Sequence, residues 1–236
     1  MARFLLVHGA SHGAWCWRDV VPALAALGHS ATAIDLPSHG ADPTPAAAIG
    51  LQDYIDAILA ALPEPAIVVA HSMAGVPATG AADRAPASVQ RLVYLCAYRP
   101  EDGDSVASLR RAQTEQPLLP AIRRDPDGTT FRFDAAMAPE LFYHDCSPAD
   151  RAFALDRLVP QAIRPQAEPV TLTGAIASVP RSYILCSEDR AIPPRDQQRM
   201  AAALADDEVY ERPWSHSPFL AHPKALASLL SGIAAP

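Results

Sequence analysis

The 236-residue chain contains no apolar run approaching the ~18–20 residues that a membrane-spanning helix needs. Its start, Met1-Ala2-Arg3-Phe4-Leu5-Leu6-Val7-His8, is too short for the hydrophobic stretch of a signal peptide. Both absences point to a soluble, cytoplasmic protein without a membrane partner. Clusters of basic residues are also lacking: the cations stand singly or in pairs such as Arg110-Arg111 and Arg123-Arg124, within a formal net charge of −7. Nucleic-acid affinity comes from grouped cations that release counterions, so this pattern argues against a nucleic-acid partner. The four cysteines, Cys16, Cys96, Cys146 and Cys186, form no C-x-x-C pair, which suggests neither a zinc site nor a disulfide framework; reduced, buried thiols are expected. No internal repeat is evident, and no low-complexity tract beyond a richness in alanine.

What is present is apolar and regularly spaced. Hydrophobic types make up 50% of the chain and charged types 19%, which excludes disorder and supplies a sizeable core. Short apolar runs at 3–8, 30–35, 66–71, 91–96, 182–187 and 207–211 alternate with helix-spaced stretches, the pattern of a parallel sheet covered on both faces. Val20, Leu24 and Leu27 mark one helix, with Gly28 placed to end it. Leu51, Ile55, Ile58, Leu59 and Leu62 mark a second, which stops before Pro63. Small residues fill 73–84, Met200 and Leu204 mark a helix before the last strand, and Leu226, Leu229, Leu230 and Ile233 give the closing helix its buried face. The expected class is α/β: one domain over 1–236, with a six-stranded, mostly parallel, doubly wound sheet. From about 100 to 180 the rhythm breaks and prolines are frequent. Phe131, Phe133, Leu141, Phe142, Tyr143, Phe153, Leu155 and Leu158 carry too much apolar surface for a free linker, so an inserted, mainly helical cap over one edge of the sheet is predicted.

The chemistry starts at Ala66-Ile67-Val68-Val69-Ala70, which runs through His71-Ser72-Met73-Ala74-Gly75 straight into a helix. This is the strand–turn–helix setting of a nucleophile elbow, G-x-S-x-G, with Ala70 and Ala74 in place of its glycines. Alanine is the smallest substitute that carries a Cβ, so the tight turn stays feasible. A serine nucleophile needs a base within reach and a carboxylate to orient that base. After the fifth strand stands Ser187-Glu188-Asp189, and after the sixth Ser215-His216-Ser217-Pro218. Both lie beyond strand C-termini, the edge at which open α/β sheets place ligands. His216 is the candidate base. Glu188 and Asp189 both offer a carboxylate, and Asp189 is preferred because it lies farther into the loop.

Four segments together resemble one family: Leu6-Val7-His8-Gly9-Ala10-Ser11-His12-Gly13-Ala14-Trp15-Cys16-Trp17, the Ser72 turn, Cys186-Ser187-Glu188-Asp189-Arg190-Ala191-Ile192-Pro193-Pro194, and Ser215-His216-Ser217-Pro218-Phe219. Glu140-Leu141-Phe142-Tyr143-His144-Asp145-Cys146 in the cap is similar too. The resemblance is to the α/β-hydrolase group of plant methylesterases, hydroxynitrile lyases and bacterial small-ester or pyrethroid-type carboxylesterases, and it spans nearly the whole chain. It implies an α/β-hydrolase fold, Ser72, Asp189 and His216 as a catalytic triad, and the backbone N–H groups of Ala10 and Met73 as an oxyanion hole. Hydroxynitrile lyases of this group carry threonine at the position of Gly9 and lysine directly after the catalytic histidine. Gly9 and Ser217 stand there instead, which favours ester hydrolysis over cyanide release.

The expected protein is therefore a cofactor-independent serine carboxylesterase without a metal site. The cap aromatics favour uncharged esters with short acyl or small alcohol parts. A carbon–carbon lyase, an acyltransferase and a non-catalytic ligand receptor on the same scaffold stand as alternatives, and the oligomeric state is open, a homodimer included. His8 and His12 have the spacing of a helical metal pair but fall in a strand and a loop, so no zinc site is read there. His71 is read either as lining the cleft or as packing, Trp15 and Trp17 as core, and Asp35 as a turn residue. His39, His144 and His222 carry no motif.

Overall fold

All six expected strands form, at β1 (Arg3–Val7), β2 (Ser30–Ile34), β3 (Ala66–His71), β4 (Val89–Leu95) and, beyond the cap, β8 (Arg181–Cys186) and β9 (Val209–Arg212). The structure is a computed structural model and describes residues 1–235. The strands run in the order β2-β1-β3-β4-β8-β9, and every neighbouring pair is parallel. Successive side chains of a strand point to opposite faces, and the two faces feed separate cores. Leu5, Val68, Leu92 and Leu185 belong to one; Leu6, Val69, Val93 and Ile184 belong to the other. β3, at the centre, is buried at every position, as a strand covered on both sides must be.

The helices α1 (Val20–Ala26), α2 (Leu51–Ala60) and α3 (Gly75–Arg84) connect the first strands. Leu51, Ile55 and Ile58 of α2 pack on the first core, and Val20 and Leu24 of α1 on the second. Leu27, expected on the buried stripe of α1, is 46% exposed: the helix ends at Ala26 and Gly28, at φ +83°, turns the chain away. The chain leaves β1 toward β2 on one side and later sets β3 on the other side of β1. The loops after β1 and β3 therefore meet at a topological switch point, where a crevice forms.

The insertion holds α4 (Val106–Arg111), α5 (Ala138–Phe142), α6 (Pro148–Leu155) and α7 (Arg164–Ala167), but it is not all helix. β5 (Ile122–Arg124), β6 (Thr130–Phe133) and β7 (Gln161–Ala162) form an antiparallel three-stranded sheet. With strands this short, no alternation of apolar and polar residues could announce them. α8 (Pro194–Ala201), α9 (Pro218–Ala221) and α10 (Pro223–Ile233) complete the chain. α8 ends before Leu204, and Leu226, Leu230 and Ile233 of α10 are buried as expected. The four cysteines are buried and free. Among the described residues no helix is long and apolar enough to cross a membrane.

Candidate active site

β3 ends on Ser72, which adopts φ +54°, a left-handed conformation that a residue with a Cβ enters only under constraint. The constraint is visible: the Tyr98 N–H, after β4, donates to the Ser72 carbonyl at 3.0 Å. Gly75 is what lets the two strand ends close up, because a Cβ there would stand 2.1 Å from the Tyr98 carbonyl oxygen. Ala70 and Ala74, in place of the glycines of the usual pattern, are fully buried. The loop after β1 presses in as closely, since a Cβ on Gly9 would lie 2.8 Å from His71 Nδ1 and 2.9 Å from Ser72 Cβ.

The structure brings Ser72, His216 and Asp189 together from three separate strand ends. The Ser72 hydroxyl faces His216 Nε2 at 3.1 Å, and His216 Nδ1–H donates to Asp189 Oδ2 at 2.7 Å. All three are buried, with Ser72 the most open at 8% exposure. Of the two carboxylates in this loop, Asp189, the one preferred from the sequence over Glu188, is the one that reaches the imidazole. It is itself held by three other donors: the N–H groups of Ala191 (2.7 Å) and Ile192 (2.9 Å) on Oδ1, and Gln197 Nε2 (2.9 Å) on Oδ2. Gln197 comes from the first turns of α8, is fully buried, and also accepts from the Cys186 N–H at 3.0 Å. Nothing in its sequence spacing announced this anchor.

The loop that carries His216 is fastened from the cap. Asp145 accepts from the Ser215 N–H at 3.0 Å and from the Ser215 hydroxyl, and it meets His222 Nε2 at 3.2 Å. From below, His71 Nε2–H donates to the His216 carbonyl at 2.8 Å. His71 therefore both lines the cleft and packs. Burial, reinforced by His216 and His12 nearby, holds its imidazole well below the ordinary histidine range.

In the loop after β1, no partner takes the Ala10 N–H among the described residues, and the Met73 N–H opens the short turn Ser72–Ala74, where helix starts leave donors free. The Ala10 carbonyl is occupied instead, because His12 Nδ1–H donates to it at 2.7 Å. His12 Nε2 in turn accepts from the Tyr143 hydroxyl of the cap at 2.8 Å. Burial lowers the His12 pKa to about 4, against the effect of its hydrogen bond to Ala10. The sequence pattern around His12, which excludes a metal pair with His8, carries no sign of this link. His8 closes the end of β1 against β2: its Nδ1–H donates to Gly9 O at 2.8 Å and its Nε2 accepts from Leu36 N–H at 3.0 Å. Trp17 is core, half-buried Trp15 stacks on His12, and Asp35 ties the turns at Ala14 and Ala41.

Over Ser72 lies a cavity of about 20 Å³, bounded by Ala10, His12, His71, Met73, Tyr98, Val106, Arg110, Leu118, Phe131, Phe133, Phe142, Gln166 and His216. It holds little more than a water molecule. His71, Cys96 and His216 offer metal-type donor atoms within 4.8 Å of one another. Those atoms are already committed: His71 Nε2 and Cys96 Sγ point at the His216 carbonyl, and His216 spans Ser72 and Asp189.

The fold and this strand-end site define a class. Residues 4–229 match the profile described as Alpha/beta hydrolase family, and the chain belongs to that family. Its sequence is 33% identical to Methylesterase 7 of Arabidopsis thaliana over 251 residues, covering 98% of this chain and 96% of that protein. Among solved structures, polyneuridine aldehyde esterase superposes with a TM-score of 0.86 at 24% identity over 100% of both chains. Tomato methylketone synthase I, bound to 2-tridecanone, superposes with a TM-score of 0.86 at 27% identity over 99% of this chain and 97% of the other.

Proposed function

We propose that the protein is a serine carboxylesterase that hydrolyses small esters through an acyl-enzyme. The observation that carries the reading is the buried hydrogen-bonded chain from Ser72 through His216 to Asp189. The likeness to methylesterases supports the bond class. Ser72 Oγ attacks the ester carbonyl while His216 Nε2 takes its proton, and Asp189 holds the imidazole and stabilises the imidazolium. The N–H groups of Ala10 and Met73 receive the developing oxyanion; two fixed donors of this kind are worth roughly 3–4 kcal/mol each in the transition state. His216 then protonates the departing alkoxide and the alcohol leaves. Water, deprotonated by His216, attacks the acyl-Ser72 carbonyl, and the carboxylic acid is released as Ser72 recovers its proton. The cycle uses only protein groups and water.

The apolar walls contributed by Val106, Leu118, Phe131, Phe133 and Phe142 favour a hydrocarbon body next to the scissile bond. A cyanohydrin lyase is disfavoured by the packing, because a threonine in place of Gly9 would press on both His71 and Ser72, and because fully buried Ser217 provides no cation after His216. A panel of small methyl esters, with Ser72→Ala as the blank, tests the proposal. Turnover by the wild type and a loss of kcat on the order of 10⁵–10⁶-fold in the variant are expected. Near-normal turnover by Ser72→Ala would falsify it.

A further inference from the structure

One member of the cavity wall does not suit a wholly uncharged substrate. Arg110, the penultimate residue of α4, borders the cavity over Ser72 together with Met73, Phe131 and Gln166. It also borders a second cavity, of about 130 Å³, on its other side. The two cavities share Arg110, Phe131 and Gln166, so these three side chains form the wall between them beneath the cap. The second is lined by two more cations, Arg111 and Arg124, and by no carboxylate. Two other cap arginines are ion-paired, Arg123 with Asp134 and Arg132 with Asp125, and Arg151 is held by the Cys146 and His144 carbonyls. Among the described residues, Arg110, Arg111 and Arg124 have no ion-pair partner, and none of their guanidinium groups donates a hydrogen bond to the protein.

Three arginines without ion-pair partners line one cavity in a chain of net charge −7; Arg111 and Arg124 are exposed, and the half-buried one, Arg110, borders the space beside the reactive serine. A guanidinium is always charged and presents a planar fork matched to a carboxylate. We propose that the second cavity is an anion subsite, and that the preferred ester carries a carboxylate at the end remote from the scissile bond, paired with Arg110. Phe131, on the same wall as Arg110, offers an apolar surface for the hydrocarbon spacer, so a monoester of a dicarboxylic acid suits this arrangement. The expectation of an uncharged substrate holds for the part next to Ser72 and gives way at Arg110. This inference rests on the esterase reading of the same site.

Two esters of equal acyl length test it: methyl hexanoate, which is neutral, and monomethyl adipate, which ends in a carboxylate. The wild type is expected to show a kcat/KM about tenfold or more higher for the adipate ester, with the ratio shrinking as ionic strength rises from ~0.05 to ~0.5 M. Arg110→Gln is expected to bring the ratio to about one, and Arg110→Lys to restore part of it. Because the readout is a ratio within one preparation, a general loss of folded enzyme does not imitate it. Calorimetric binding of the same two esters to Ser72→Ala reads the preference without turnover, so a failure of hydrolysis and a failure of anion recognition are separate outcomes. A wild-type ratio near or below one in both kinetics and binding, or a ratio unchanged in Arg110→Gln, overturns the proposal.

Discussion

The Tyr143 hydroxyl donates to His12 Nε2 at 2.8 Å, and this bond joins the cap to the loop that follows β1. Through His12 Nδ1 the link continues to the Ala10 carbonyl, so a cap side chain steadies the peptide that directly follows the one whose N–H is proposed to receive the oxyanion. Tyr143→Phe leaves His12 Nε2 buried without a donor, at a cost of about 1–3 kcal/mol. The expected result is a lower urea midpoint together with a fall in kcat of roughly tenfold and little change in KM. Equal falls in kcat and in folded fraction, with normal turnover per folded molecule, would limit the link to stability.

Gln197 governs the carboxylate at the other end of the site. Its Nε2 shares Asp189 Oδ2 with His216, and its Oε1 satisfies the Cys186 N–H. Gln197→Leu keeps the bulk but removes both contacts, so Asp189 Oδ2 keeps His216 as its one donor while Ala191 and Ile192 still hold Oδ1. A drop in kcat of about tenfold or more is expected, accompanied by a stability loss of about 1–3 kcal/mol for the buried N–H left unpaired. Steady-state kinetics on the neutral methyl ester, corrected for folded fraction, check it.

Two glycines should respond in opposite directions. Gly75→Ala would push a methyl group to 2.1 Å from the Tyr98 carbonyl oxygen, and backbone on both sides leaves little room to yield. A cost of about 3 kcal/mol is expected. Gly232, inside α10, has nothing within 4 Å of its would-be Cβ, so Gly232→Ala should gain about 0.5–1 kcal/mol from helix propensity. Urea unfolding of both variants reads the pair.

Much of this architecture was legible before any coordinates. β1 to β4, β8 and β9 are apolar runs long enough to be recognised, and Ser72, Asp189 and His216 each follow one of them, which made their convergence predictable from topology. The cap sheet was hidden because β7 spans only Gln161–Ala162. Gln197 and the His12–Tyr143 link were hidden because hydrogen bonds between residues far apart in the chain leave no periodic trace. Arg110 was visible only as half of a basic pair; its lack of a partner is a property of three-dimensional placement.

Acid should destabilise the fold before it strips the carboxylates. Burial lowers the pKa values of His8, His12, His39 and His71, that of His12 from 6.5 to about 4. In the unfolded chain these groups take up protons near 6.5, so the unfolded state binds more protons between that value and the lowered ones. Stability from this source is complete above about pH 6.5 and is lost as pH falls toward the folded values. His12 alone accounts for up to about 3 kcal/mol by pH 4. Thermal melts between pH 8 and 4 should show Tm falling from about pH 6.5 downward; a Tm flat across that span would contradict the buried, neutral assignment.

The central claim is that the Ser72 oxygen becomes the attacking atom, and covalent capture reads it without any assumption about the natural ester. Incubation with a fluorophosphonate followed by peptide mass spectrometry is expected to give one adduct, on Ser72, with no labelling in Ser72→Ala and strongly slowed labelling in His216→Ala. Unlabelled Ser72 in folded protein, or labelling that persists undiminished in His216→Ala, would contradict it.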